Sequence, residues 1–196
     1  MPQQFIIVLC GPSGAGKTSL ARALLEVFPF LSFSVSATTR TLRTGEEDGV
    51  DYYFLAPDDF RARVDDGAFL EHEEVYDGLL YGTLKSEIHR IWGQGLIPLL
   101  DVDVKGAHNI RASDFCEGLF IFVHPGDVET LRNRLRARRT ESEASLQRRL
   151  ERAEMELAQS PNFEHVVHNN DFEQARSELI RLVEDYTGSS VPSSSQ

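Results

Sequence analysis

A doubly wound α/β fold is what the sequence predicts, and three observations predict it. The chain begins with a short apolar run, Phe5–Cys10, which passes through a glycine-rich turn into Leu20, Ala21, Leu24, Leu25 and Phe28 at helical spacing. Two further apolar runs, 97–104 and 119–124, show little alternation with polar residues, as parallel strands covered on both faces do. Helical patterns over 57–66, 84–93, 127–138, 143–158 and 172–186 precede and follow these runs, so strand alternates with helix along the chain. The pair Val166 and Val167 reads as a last short strand, with His165 and His168 as strand-edge residues rather than zinc ligands.

Two stretches fit this alternation less well. Residues 34–83 are dense in Thr, Arg, Asp, Glu and Tyr, carry a β-like piece at 52–55, and have turn signals at Asp48-Gly49, Asp66-Gly67 and Asp77-Gly78. They read as a small β-containing insert. The second stretch is arginine-rich: eight of the twenty Lys and Arg lie between Arg132 and Arg152, and all eight are Arg. Planar guanidinium forks suit a phosphorylated ligand, although i,i+4 pairing with Glu141, Glu143 and Glu151 on a solvated helix would use the same residues. The tail from Thr187, TGSSVPSSSQ, reads as disordered.

With 196 residues the chain fits a single domain. Its 41% hydrophobic content includes no apolar run near the roughly 20 residues of a membrane helix. The N-terminus lacks the basic region and cleavage site of a signal peptide, so a cytoplasmic protein with no membrane partner is expected. A formal net charge of −11 disfavours nucleic acid as a partner. Neither Cys10 nor Cys116 belongs to a CxxC pair or a Cys/His cluster, and both read as reduced core residues. No structural metal is expected.

Residues 11–18, GPSGAGKT, match G-x-x-x-x-G-K-[ST] at every fixed position, after an expected strand and before an expected helix. Gly11, Pro12, Ser13, Gly14, Ala15 and Gly16 would turn backbone N–H groups around phosphate oxygens at the positive end of the helix. Lys17 would reach the β- and γ-phosphates, and Thr18 would offer its hydroxyl to Mg²⁺. The predicted core is therefore a parallel sheet of the P-loop NTPase type. The loop alone does not separate ATPases, GTPases and kinases. In Leu99-Leu100-Asp101-Val102-Asp103 two carboxylates stand at i and i+2, on one face of a strand, where P-loop folds hold Mg²⁺ and its waters.

SVSATTRTLRT at 34–44, GEEDGVDYYF after it, FLEH at 69–72 and LLYGT at 79–83 form an ordered series with the phosphate loop, LLDVD and the later arginines. This series resembles the guanylate kinases from Phe5 to about Ala175. The resemblance implies a P-loop core (1–33, 84–127 and 160–186), a GMP-binding insert (34–83) and a helical lid (128–159). It implies transfer of the γ-phosphoryl group of ATP to GMP with Mg²⁺ as cofactor, and leaves dGMP as an acceptor and the oligomeric state open.

By the same resemblance Ser36, Glu71 and Thr83 would hold the guanine. A carboxylate pairs well with the N1–H and exocyclic amine of guanine, whereas adenine offers an acceptor at N1 and no amine at C2. Arg40, Arg43, Tyr52 and Tyr81 would clamp the acceptor phosphate, Asp103 would contact GMP, and Asp101 would stand near the Mg²⁺ waters. Arg134, Arg138 and Arg149 fall at lid positions; Arg138 and Arg149, with Lys17 and Arg43, would neutralise the migrating group. Asn169 would lie near the adenine, with Asn170 adjacent. Leu42, Leu79 and Arg139 depart from the family pattern, the last leaving Arg138 and Arg139 as competing lid residues. The alternatives are a P-loop kinase for another phosphorylated acceptor, such as a ribose bisphosphate, and a non-catalytic interaction module.

Overall fold

The computed structural model describes residues 4–76, 78–126, 128–137 and 143–188. Asp77, Arg138, Arg139 and the tail beyond 188, all named above, lie outside the described residues.

A five-stranded parallel sheet forms the centre. Its order is β2 (Leu31–Phe33), β7 (Ile97–Val102), β1 (Phe5–Cys10), β8 (Glu117–His124) and β9 (His165–His168), numbered by position in the chain. The apolar run of β1 is explained by its place in the middle: Ile6, Ile7, Val8, Leu9 and Cys10 are all fully buried. Ile7 and Leu9 point to one face, under α1 (Lys17–Val27) and α7 (Phe172–Thr187). Ile6, Val8 and Cys10 point to the other, under α3 (Lys85–Gly93) and α4 (Val104–Ala112). Truncating one such residue to Ala would cost about 2–5 kcal/mol, since rigid packing on both faces leaves a cavity. Cys10 is part of this core, and burial pushes its thiol up to about 12. Cys116 is half-buried, its thiol raised to about 11. β9 is an edge strand, which accounts for its flanking histidines. No helix among the described residues is long and apolar enough to cross a membrane.

A second, four-stranded sheet lies beside the first, in the order β4 (Tyr53–Phe54), β3 (Ala37–Thr38), β6 (Leu79–Leu84) and β5 (Phe69–Tyr76). With α2 (Pro57–Asp65) it encloses a small core in which Phe60 stacks on Phe69 with ring centroids 4.3 Å apart. The chain crosses between the two sheets near Val35, and Glu87 of α3 holds that crossing. Its buried carboxylate accepts from Val35 N at 3.1 Å, from the Tyr53 hydroxyl at 2.9 Å and bidentately from Arg90 at 2.7 and 2.8 Å. Burial works against the charge, but Arg90 and the two other donors outweigh it and hold the carboxyl below its usual range.

The remaining helices, α5 (Val128–Ala137) and α6 (Glu143–Leu157), pack on each other through Leu131, Leu150 and Ala153. The sequence reading needs one correction in the core. The strand expected over 97–104 ends at Val102, and Val104 begins α4, a helix the apolar pattern did not reveal. The Asp103 carboxylate accepts from Gly106 N at 2.7 Å, which caps the helix and stops the strand. Gly106 inside α4 weakens the helical signal in the sequence.

Candidate active site

The loop after β1 is shaped by its own backbone. Gly11, Gly14 and Gly16 have φ of 135°, 87° and 93°, a region L side chains rarely adopt. At Gly16 a Cβ would also lie 2.2 Å from Asn169 Nδ2. Pro12 O accepts from Ala15 N at 3.1 Å, and Lys17 Nζ donates to Gly11 O at 2.8 Å and Pro12 O at 3.3 Å. Helix α1 has no side-chain N-cap and no acidic residue in its first turn. Its leading N–H groups and dipole thus favour an anion. Ser13, Gly14 and Gly16 line the cavity above the loop.

Thr18 Oγ1 donates to Asp101 Oδ2 at 2.7 Å, and Lys17 Nζ stands 3.5 Å from Asp101 Oδ1. A hydroxyl and a single carboxylate are hard oxygen donors, and among the described residues no group of three or more His, Cys, Asp or Glu is arranged to hold a metal ion by itself. Such a pair suits a cation that keeps most of its ligands as water and phosphate oxygen, as Mg²⁺ does.

A second cavity lies against the first, and Lys17, Val75, Asp101 and Asp103 line both. Its far wall carries Ser36, Tyr52, Glu71 and Tyr81. Glu71 and Thr83 are direct cross-strand neighbours in the β5–β6 pair, and Thr83 Oγ1 donates to Glu71 Oε1 at 2.7 Å. Glu71 is 8% exposed. Burial pushes its carboxyl up to about 7 against the Thr83 hydrogen bond, and the nearby Asp103 and Glu73 raise it further. The site therefore holds a carboxylate that gains from any ligand donating to it. Gly106 supplies the space beside it: a Cβ there would lie 2.9 Å from Glu71 Oε2.

Arg40 of the expected phosphate clamp faces the aromatic wall, its guanidinium 5.2 Å from the Tyr52 ring centroid, with Tyr81 6.0 Å beyond, ring to ring. It is held there by Glu46, which it meets at 2.8 and 2.9 Å and which also accepts from Arg43 N at 2.8 Å. The Arg40 guanidinium and the Arg43 amide hold the Glu46 carboxyl down to about 2. Glu46 was not singled out from the sequence; its spacing from Arg40 and Arg43 in a turn was the available signal. It closes the loop that carries Leu42 by holding Arg40 and the Arg43 amide together. Arg43 itself is exposed and does not line the second cavity.

On α6, Arg149 lines the cavity over the phosphate loop, together with Arg152, which the sequence reading passed over. Arg134 turns instead to the loop's frame, donating to Asn169 O at 2.8 Å and Ala15 O at 3.4 Å. The Asn169 amide donates to the same Ala15 O at 2.7 Å. Both residues therefore brace the phosphate loop from behind.

The comparisons with known proteins agree with this geometry. The family model described as guanylate kinase matches residues 3–186. A guanylate kinase of Salinibacter ruber is 46% identical over 189 residues, 96% of this chain and 100% of that protein. One from Chlorobium luteolum is 42% identical over 92% of this chain and 91% of its own length. Among solved structures, the guanylate kinase from Anaplasma phagocytophilum superposes with a TM-score of 0.72 at 27% identity, covering 97% of this chain and 90% of that one. A phosphate loop, a buried carboxylate that faces it across a shared wall, and relatives of this likeness over nearly the whole chain lead to one statement: the chain belongs to the guanylate kinase family.

Proposed function

We propose that this protein is a guanylate kinase that transfers the γ-phosphoryl group of ATP to GMP, giving ADP and GDP. The observation that carries the reading is the common wall of the two cavities. Lys17, Asp101 and Asp103 stand between a loop built for a polyphosphate and a buried carboxylate suited to guanine. A donor and an acceptor seated in these cavities meet at that wall, the arrangement direct in-line transfer needs.

Glu71 accepts from the guanine N1–H and amine; Ser36 donates to O6, and Thr83 does so once its hydroxyl turns from Glu71. Arg40, Tyr52 and Tyr81 hold the acceptor phosphate, with Arg43 reaching it from the 40–46 loop. Lys17, Arg43 and Arg149, with Arg138 from the lid, offset charge on the migrating phosphoryl group. No general base is required, because the attacking phosphate oxygen is already ionised at neutral pH. Thr18 and Asp101 would hold Mg²⁺, which would supply positive charge against that of the phosphates. Arg134 and Asn169 keep the loop in shape around the donor. Closure of the lid and of the second sheet on their nucleotides would exclude water, which would otherwise accept the phosphoryl group.

The test is a coupled assay for diphosphate formation with GMP and with AMP, in the parent protein and in Glu71→Gln. The parent makes GDP and hardly turns over AMP. The Glu71→Gln protein loses kcat/KM for GMP by about 100-fold, the scale of a buried polar match left unmade. Equal use of GMP by both proteins would remove the guanine assignment.

A further inference from the structure

Arg152 lies on α6 three residues after Arg149, so both side chains leave the helix on one side. Both line the cavity over the phosphate loop. Arg152 reaches out of its own helix as well. It pairs with Glu156 one turn on at 2.8 Å, donates to the backbone carbonyl of Val75 on β5 at 2.9 Å, and forms an ion pair with Asp103 at the β7–α4 junction. One guanidinium thus connects the lid helix, the second sheet and the central sheet. A planar fork with five N–H donors suits partners in three fixed directions better than an ammonium on a flexible stem does.

Asp103 passes the connection onward. Its other carboxylate oxygen accepts from Gly106 N at 2.7 Å and so sets the first turn of α4. In that turn Gly106 lies against the Glu71 carboxylate, with only the space a missing Cβ leaves. Contacts therefore run without a gap from Arg152 through Asp103 and Gly106 to the residue read here as the guanine acceptor. On the other side Arg149 sits one turn along α6 from Arg152, over the phosphate loop.

We propose that Arg152 is a positioning residue that registers the lid helix against the acceptor site, so that Arg149 stands over the phosphates only when Asp103 and β5 are in their binding geometry. The inference rests on the guanylate kinase reading above. Its consequence is a coupling between the two substrates: the lid meets the donor in a register set by the acceptor side.

The experiment is steady-state kinetics on Arg152→Met, which keeps the aliphatic stem, and Arg152→Lys, which keeps a charge, each also in an Asp103→Asn background. Arg152→Met is expected to lower kcat about tenfold, because Arg149 is no longer held over the phosphates, and to remove the dependence of the KM for ATP on GMP concentration that the parent shows. Arg152→Lys recovers part of that loss. In the Asp103→Asn background the Arg152→Met substitution has a smaller effect, that of the Val75 and Glu156 contacts alone, since the charge pair is already broken. Wild-type GMP kinetics in Arg152→Met, or an undiminished loss in the Asp103→Asn background, overturns the proposal. A parent protein that makes no GDP overturns the underlying reaction instead.

Discussion

The two halves of the site are assembled from different materials. On the donor side, residues 11–18 are held by backbone geometry at the end of a strand buried on both faces. Glycine dihedrals, carbonyls caught by Lys17 and an uncapped helix end form a cradle within eight consecutive residues. On the acceptor side the groups come from the segments flanking β3 and β4, from β5 and β6 and from the junction before α4, and side chains hold one another: Thr83 on Glu71, Glu46 on Arg40, Arg152 on Asp103. A cradle of backbone dipoles is preorganised by the fold itself. A set of charged and polar side chains on a small second sheet is preorganised only as long as each partner remains in place.

The sharpest way to test this contrast is to remove a side chain from the donor cradle. Lys17→Ala should lower kcat by about 1,000-fold or more, because the charge acts on the phosphoryl group in the transition state. The loop gives up two carbonyl contacts but should keep most of its shape, as its glycines and the brace of Arg134 and Asn169 on Ala15 are untouched. Single-turnover kinetics with a thermal melt checks both halves of that statement.

The acceptor side should answer to pH where the donor side does not. Glu71 is lifted from 4.5 to about 7 in the nucleotide-free protein, mainly by burial. Below that value it carries a proton and cannot accept from both guanine donors. The KM for GMP is therefore expected to rise as pH falls below about 7, by up to about tenfold per unit, and to level off above it. The Glu71→Gln protein should show a flatter profile. A parent KM independent of pH between 5 and 8 would separate Glu71 from base recognition.

Smaller effects should come from the partners that only aim other groups. Glu46→Gln keeps the loop's hydrogen-bonding shape and removes the charge that holds Arg40. The expected result is a rise of about three- to tenfold in the KM for GMP with kcat little changed, the scale of one partly exposed charged contact. An unchanged KM would mean that Arg40 is oriented by the Tyr52 and Phe54 rings alone.

How much could be read in advance follows the same division. The P-loop was legible because its requirements are local: the strand, the loop and the helix follow one another in the chain. β1 falls on Phe5–Cys10 as its apolar run indicates, since a central strand covered on both faces tolerates no polar residue. Helix α4 was hidden because its start depends on one carboxylate capping a backbone N–H and its Gly106 belongs to the Glu71 pocket rather than to helix stability. Glu71 and Thr83 were found through family likeness; twelve residues apart, they meet only because a β-hairpin sets them opposite. Glu46, Glu87, Gly106 and Arg152 were not found at all. Each acts on a partner brought to it by folding, and their residue types are ordinary on a protein surface.

What the sequence by itself determined was therefore the phosphate-binding end of the chemistry, the alternation of strand and helix, and the family. These depend on periodicity and on spacing within a few residues, which the chain carries wherever it is read. Only the tertiary structure decided which carboxylates are paired and which is left raised and receptive, that Arg134 and Asn169 brace the loop, and that Arg152 of α6 meets Asp103 and β5. The physical reason is that burial and the distance between charges set those properties, and both come into being when segments far apart in the chain pack together.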